Sequence, residues 1–85
     1  MIHVIYAEVK ENYNVYIKFN NRTSGYIDFE KIFEEDHRRI VNDLLDMNLF
    51  ATLRVNFNTL CWDNGVDFAP DYLHSMIKKE AFISV

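Results

Sequence analysis

The sequence predicts an α+β domain in which an antiparallel β-meander leads through a helix and a β-hairpin to a short C-terminal helix. Residues 13–19 alternate between apolar and polar side chains, as a half-buried strand does. After Asp28 the apolar residues recur every three or four positions instead, which is the helical spacing. Pro70 follows a turn at Asn64 and Gly65, where it is placed to open a second helix. The predicted order is β-β-β-α-β-β-α.

The first third of the chain predicts three strands. Residues 2–9 are rich in β-branched and aromatic side chains and precede a polar turn. The strand at 13–19 has one apolar face and one polar face, made of Val15, Ile17 and Phe19 against Asn14, Tyr16 and Lys18. A turn at 20–22, where asparagine tolerates positive φ, leads to a third strand at 23–27. Two consecutive hairpins of this kind form a meander.

The next segment predicts a helix between residues 29 and 47. Asp28 stands where a carboxylate accepts hydrogen bonds from the first free amides of a helix. The apolar stripe consists of Phe29, Ile32, Phe33, Ile40, Val41, Leu44 and Leu45. This stripe lapses at residues 35–37, so we expect the helix to bend or break there.

A second hairpin and a second helix follow. Its strands are residues 52–57, with Leu53, Val55 and Phe57 on one side, and residues 60–62 after a turn at 58–59. Gly65 supplies a positive φ for the turn that follows the hairpin. The helix that begins at Pro70 has an apolar face made of Tyr72, Leu73, Met76 and Ile77.

Residues 80–85 are unusually apolar for a chain end. Because exposed apolar groups gain nothing in water, we expect this tail to be held against protein. We expect it either as an additional edge strand of the chain's own sheet or as a strand paired with a second copy across a twofold axis. A homodimer is the expected assembly, because small sheets with open edges pair readily and twofold dimers are the commonest oligomers.

Length and charge limit the possible classes of function. The chain has 85 residues, which fits a single domain over 1–85. Nine basic and 13 acidic side chains give a net charge of −4, which disfavours direct nucleic-acid binding. The single cysteine, Cys61, excludes an intramolecular disulfide, and no apolar run approaches the ~20 residues of a membrane span. The start lacks the basic segment of a signal peptide, so a cytoplasmic protein without membrane contact is expected.

The side chains that support catalysis or metal binding are scattered. His3, His37 and His74 have no ligand spacing, and no phosphate-binding or nucleophile motif occurs. Asp71 and His74 lie one helical turn apart, where they form a surface ion pair far more often than a metal or proton site. Cys61 has no neighbouring base in the sequence and is expected to be an inert thiol. We therefore expect no enzyme activity, no metal and no cofactor.

The aromatic residues allow a second hypothesis, a platform for stacking on bases or small ligands. The candidates are Tyr13, Tyr16, Tyr26 and Trp62. Such platforms interleave their aromatic side chains with arginine and lysine, which these segments lack. Core packing and strand propensity explain the aromatic residues better.

Three segments of the sequence carry a family resemblance. They are LDMNLF at 45–50, VNF at 55–57 and WDNGVDFAPDYL at 62–73. Together they resemble the bacterial "domain of unknown function 2442" family, whose members carry W-x-N-G-x-D-x-x-P-x-x-L at this place. The resemblance covers about residues 4 to 77. It departs from the family pattern at residues 19–22, where the first hairpin lacks the usual glycine.

The resemblance implies a small α+β fold and no established activity. Some relatives resemble N-terminal modules joined to helix-turn-helix domains, and others stand alone beside a second small protein, as toxin–antitoxin pairs do. This chain is too short to include a helix-turn-helix, so direct operator binding is not carried over.

These observations predict one corner of the molecule as the candidate site. It joins sheet to helix and comprises Trp62, Asn64, Gly65, Asp67, Pro70 and Tyr72. Trp62 is expected to be at least partly buried, and Asp67 to bind the amide two residues on. The leading hypothesis is an interaction module for a protein partner, such as a small basic protein encoded nearby, in an antitoxin-like or regulatory role. The alternative is a small-ligand or nucleic-acid binding domain with an aromatic platform around Trp62.

Overall fold

The first part of the chain forms the predicted meander. The computed structural model describes the backbone of residues 1–83 and the side chains of residues 1–77. Its first sheet has the order β1-β2-β3, with β1 at Val4–Val9, β2 at Asn14–Phe19 and β3 at Ser24–Asp28. Both pairings are antiparallel. The prediction of three strands in this order is confirmed.

The alternation of β2 determines which face of the first sheet is buried. Val15, Ile17 and Phe19 are enclosed in the core, whereas Lys18 is exposed on the other face. The turn after β2 places its positive φ, +69°, at Arg22, and not at an asparagine as predicted. Asn21 acts through its side chain instead, because its Oδ1 accepts from the amide of Thr23 at 3.1 Å.

The predicted helix between 29 and 47 forms in separate short pieces. They are α1 at Phe29–Glu35, α2 at Arg39–Asn42, a 3₁₀ turn at Asp43–Leu45 and α3 at Met47–Phe50. Asp28 caps α1 as predicted, its Oδ1 accepting from the amide of Glu30 at 3.0 Å. The predicted break is confirmed at Asp36, and Asp46 caps α3 in the same way as Asp28 caps α1.

A second antiparallel sheet follows, and it has one strand more than predicted. Its order is β4-β5-β6, with β4 at Arg54–Asn56, β5 at Thr59–Cys61 and β6 at Asp67–Phe68. The alternation predicts Phe57 beside Leu53 and Val55, but Phe57 lies in the β4–β5 turn with φ +51° and is 88% exposed. The turn takes Phe57 out of the alternation because both of its central residues, Phe57 and Asn58, have positive φ.

The last element is α4 at Pro70–Ile83, which begins at proline as predicted. Leu73 and Ile77 are buried against the first sheet, while Tyr72 of the expected apolar face is exposed. Residues 80–83 belong to this helix, so the additional C-terminal strand is wrong for them. Residues 84 and 85 of the predicted tail lie outside the described residues.

The core lies where the two sheets and the helices meet. Its centre is an aromatic cluster of Phe29, Phe50, Trp62 and Phe68, with ring centroids 5.5 to 5.8 Å apart. The amide of Val4 in β1 donates to the carbonyl of Asn58 at 2.9 Å and joins the two sheets. No helix within the described part of the chain is long and apolar enough to cross a membrane.

Candidate functional site

Trp62 anchors the predicted corner from inside the molecule. Its ring is 1% exposed and packs edge-on against Phe29 at 5.5 Å. Its Nε1 donates to the carbonyl oxygen of Phe50 at 3.0 Å, so the polar group of the ring is satisfied. The expectation of burial is confirmed. A base or ligand that stacked on this ring would have to open the core.

Asn64 and Gly65 form the turn that joins β5 to β6. Gly65 has φ +91°, as expected, and its amide donates to the carbonyl of Trp62 at 3.1 Å. Asn64 holds the turn with both ends of its amide: Oδ1 accepts from the amide of Val66 at 3.2 Å, and Nδ2 donates to the carbonyl of Ile40 at 3.0 Å. The turn is therefore tied to α2 across the molecule.

The remaining corner residues have separate roles. Asp67 lies in β6 and pairs with Cys61 of β5. The sequence predicts that Asp67 accepts from the amide two residues further on, but it is Asn64 that makes a bond of this kind, to the amide of Val66. Pro70 is the first residue of α4. Tyr72 is 43% exposed and stacks on Phe68, with ring centroids 5.8 Å apart and an angle of 19° between planes.

A shallow groove of about 310 Å³ lies at the surface of this corner. Its lining includes Asp36, Arg38, Asp67 and Tyr72. Arg38 binds Asp36 with two nitrogens, at 3.0 Å from Nε and 2.8 Å from the terminal nitrogen, and this bond lowers the pKa of the Asp36 carboxyl. Burial raises the pKa of Tyr72, and the carboxylates of Glu35 and Asp36 raise it further. The groove therefore contains one ion pair, Asp36 with Arg38, beside the exposed ring of Tyr72.

His74 does not form the pair with Asp71 that its spacing suggested. Its Nε2 lies 3.1 Å from Nδ2 of Asn21, and its ring meets Phe19 edge-on at 5.2 Å. This histidine therefore ties α4 to the β2–β3 turn. Among the residues that the structure describes, no group of three or more His, Cys, Asp or Glu could hold a metal ion.

The open face of the first sheet carries a row of three tyrosines, which we call the tyrosine face: Tyr6, Tyr16 and Tyr26. Tyr16 and Tyr26 are opposite each other in the β2–β3 register, with ring centroids 5.2 Å apart. Tyr6 meets Tyr16 edge-on at 6.4 Å, and Lys18 Nζ lies 5.9 Å from the centre of the Tyr6 ring. Tyr6 is 44% exposed and Tyr26 is 55% exposed. The face is thus a contiguous aromatic surface open to solvent.

Charged side chains of both signs surround the tyrosine face. Lys10 binds Glu8 at 2.6 Å, and this bond lowers the pKa of the Glu8 carboxyl and raises the pKa of Lys10. A groove of about 420 Å³ borders the face near Lys18, and another of about 480 Å³ lies near Lys10 and Glu11. The aromatic centre therefore has a polar rim, which is the usual arrangement of a protein–protein interface.

The model of the family described as protein of unknown function, DUF2442, matches residues 4–79. The chain belongs to the DUF2442 family. The suspected resemblance is thereby confirmed over both sheets and most of α4. No curated protein and no solved structure matches the chain.

In this DUF2442 chain the residues of the family motif at 62–73 are mainly architectural. Trp62, Asn64 and Gly65 are brought together in one hydrogen-bonded turn, and Pro70 starts the adjoining helix. Tyr72 is the residue of this corner that presents a broad apolar ring to solvent.

The sequence did not predict the tyrosine face as a unit. Of the aromatic residues considered for stacking, Tyr13 packs inside against Phe50 at 5.1 Å, and its hydroxyl donates to the carbonyl of Leu45. Tyr16 and Tyr26 are brought together by the β2–β3 register. The alternation in β2 places Tyr16 on the polar side of that strand. Combined with the β2–β3 register, this alternation predicts that Tyr16 lies beside Tyr26 on the tyrosine face.

Proposed function

We propose that this DUF2442 chain is a cytoplasmic, non-enzymatic interaction module that binds a protein partner through the tyrosine face. The observation that carries the proposal is the contact of three tyrosine rings on the open side of a well-anchored sheet. Tyrosine supplies a large apolar area and a polar tip at low conformational cost, and it is enriched at the centre of protein interfaces. A surface of this kind supports binding of a protein partner and does not require catalysis.

Charge favours a protein partner over nucleic acid. Aromatic platforms that bind single strands follow the phosphate backbone with arginine and lysine. Around the tyrosine face, Lys18 lies against the Tyr6 ring, Lys10 is already paired with Glu8, and Glu11 and Asp28 add negative charge. With a net charge of −4, the chain attracts basic surfaces over a distance. We therefore propose a small basic protein as the partner, with this chain in an antitoxin-like or regulatory role.

The test is capture of the native partner by three forms of the full chain. Wild type is compared with the double variant Tyr6→Ser and Tyr16→Ser, which removes two rings of the tyrosine face. The matched control is Tyr72→Ser, because Tyr72 and Tyr6 are nearly equally exposed, at 43% and 44%. We expect the double variant to lose a basic protein that wild type and the Tyr72 variant both retain.

Two outcomes would contradict this proposal. Loss of the partner from the Tyr72 variant alone would place recognition at the corner groove. Co-purification of nucleic acid, seen as absorbance at 260 nm that the double variant loses, would favour the alternative function of an aromatic nucleic-acid platform. Thermal melts of all three forms establish that each variant is folded.

A further inference from the structure

The hydrogen bonds at the two ends of the β2–β3 ladder determine which groups of β3 face outward. At one end the amide of Phe19 donates to the carbonyl of Thr23 at 2.9 Å. At the other end the amide of Phe29 donates to the carbonyl of Tyr13 at 3.0 Å. In an antiparallel ladder, hydrogen-bonded pairs alternate with pairs that are not hydrogen-bonded. The residues between these ends must therefore follow the same alternation.

By the same alternation, Ser24, Tyr26 and Asp28 of β3 direct their amides away from β2. Gly25 and Ile27 are the residues whose N–H and C=O groups bond to β2. Ser24 and Tyr26 point their N–H and C=O groups to the opposite side, and both residues are exposed. The outer edge of β3 is thus a regular template for another strand.

The other edge of this sheet is protected. β1 has a register irregularity between Val4 and Tyr6, which is a common device against strand addition. The amide of Val4 also donates to the carbonyl of Asn58 in the β4–β5 turn. β3 has an unbroken register over its length and contains neither lysine nor proline, the residues that usually block an edge.

We propose that the outer edge of β3 binds β3 of a second copy of this chain, antiparallel, with a twofold axis at Tyr26. In this register Tyr26 exchanges two hydrogen bonds with Tyr26 of the second copy. Ser24 lies opposite Asp28 of the second copy, and the same pair recurs on the other side of the axis. Both outward groups of Tyr26 then have a partner, and the carbonyl of Ser24 accepts from the amide of Asp28. The amide of Ser24 meets the carbonyl of Asp28, which it shares with the first turn of α1.

Charge at the two ends of β3 fits a second copy in this orientation. Arg22 precedes the strand, so its start is basic. Asp28 and Glu30 make its end acidic. An antiparallel twofold pairing places the basic start of each strand beside the acidic end of the other. A parallel pairing would bring like charges together.

The pairing would join the two meanders into one sheet of six strands, twice the three that each copy contributes. The tyrosine row of each copy would meet at the twofold axis. A strand of five residues is about 17 Å long and buries less area than a standard interface. We therefore expect a reversible dimer. This inference uses the edge of the sheet and does not rest on the proposed binding of a partner to its face.

The first experiment measures mass against concentration by sedimentation equilibrium. Wild type should move from 10.2 kDa toward twice that value as its concentration rises to ~1 mM. Ser24→Pro removes an outward amide without breaking a bond to β2, so this variant should stay at the monomer mass. Its thermal melt at low concentration should match that of wild type, which establishes that it is folded. High salt should weaken the wild-type dimer.

The second experiment tests the register by cross-linking. In a Cys61→Ser background, Tyr26→Cys places two thiols across the axis with Cα atoms about 5.5 Å apart, within disulfide range. The matched control is Tyr6→Cys, on the same face but on the far strand. Mild oxidation should give a covalent dimer for Tyr26→Cys and monomer for Tyr6→Cys.

Three outcomes would overturn the proposal. The first is a wild-type mass that stays at 10.2 kDa up to ~1 mM. The second is equal dimerisation of wild type and Ser24→Pro, and the third is equal cross-linking of the two cysteine variants. If wild type is monomeric and Ser24→Pro also loses the partner, the edge of β3 binds a strand of that partner instead of a second copy. A dimer without partner capture would contradict only the proposed function.

Discussion

At the scale of single residues, Gly65 and Trp62 stabilise the corner by different physical means. Gly65 contributes a backbone conformation, because its φ is +91° and a Cβ at this position would meet no atom within 4 Å. Trp62 contributes packing and one enclosed hydrogen bond to Phe50. The first role depends on the absence of a side chain and the second on the presence of a particular one, so substitutions at these positions have distinct signatures.

Gly65→Val should lower the free energy of unfolding by more than ~1 kcal/mol, because a β-branched residue is strained at positive φ. Gly65→Asn should cost less, because asparagine tolerates that region. Urea unfolding of the three proteins gives the comparison. Identical midpoints for wild type and the valine variant would contradict the turn argument.

Trp62→Phe should lower the free energy of unfolding by about 0.5–1.5 kcal/mol from the lost hydrogen bond, with an added cavity cost. The carbonyl of Phe50 loses the indole donor and keeps the amide of Leu53, at 3.2 Å, as its partner. The matched control is Tyr72→Phe, which removes a hydroxyl at the surface and should change stability little. Equal losses of unfolding free energy in the two variants would show that the hydrogen bond of the indole does not contribute measurably to stability.

At the scale of elements, the contact between α4 and β3 depends on Gly25. A Cβ at this position would lie 3.0 Å from Cγ2 of Ile77, closer than side chains normally approach. A side chain at this position would therefore require Ile77 to shift by a few tenths of an ångström. The junction between α1 and α2 depends instead on Asp36, which accepts from the amide and the guanidinium of Arg38.

Gly25→Ala should destabilise the fold by about 1–3 kcal/mol through overpacking. In an Ile77→Ala background the same change should be neutral or stabilising, because the clash is gone and alanine orders a strand better than glycine. A double-mutant cycle by thermal or urea unfolding measures this coupling. Additive effects would show that the two residues do not constrain each other.

The pKa of Asp36 should rise when Arg38 is replaced by glutamine, because Arg38 is the main cause of its lowered pKa. A lowered pKa in the folded state stabilises the fold above the unfolded pKa of the carboxyl, and this stabilisation is lost as pH falls through the folded pKa. Wild type should therefore lose more stability than Arg38→Gln on acidification. NMR titration of the Asp36 side chain checks the pKa, and an unchanged value would contradict the assignment.

At the scale of the whole molecule, the predictable features are those set by local pattern. The alternation at 13–19, the cap at Asp28 and the proline at the start of α4 are all read within a few residues. β6 escaped prediction because two residues are too short to show a period. The breaks at Asp36 and Asp46 depend on side-chain capping that competes with the helical stripe.

The tyrosine face escaped prediction for a different reason. The contact between Tyr6, Tyr16 and Tyr26 depends on the lengths of both meander turns and on the irregularity in β1. The sequence pattern does not give these features. The corner was predicted because its residues are close in sequence, yet its most prominent aromatic residue, Trp62, is enclosed. The sequence therefore predicted the corner, whereas the tyrosine face could be identified only from the three-dimensional structure.

The most direct test of whether a protein partner binds the tyrosine face is hydroxyl-radical footprinting of the tyrosines, with and without the captured partner. Tyr6 and Tyr72 serve as matched reporters, because they are 44% and 43% exposed on different surfaces. At a fixed chain concentration, which keeps any dimer constant, we predict that the partner protects Tyr6 and leaves Tyr72 as reactive as before. Protection of Tyr72 with an unchanged Tyr6 would contradict the account and place the binding surface at the corner groove.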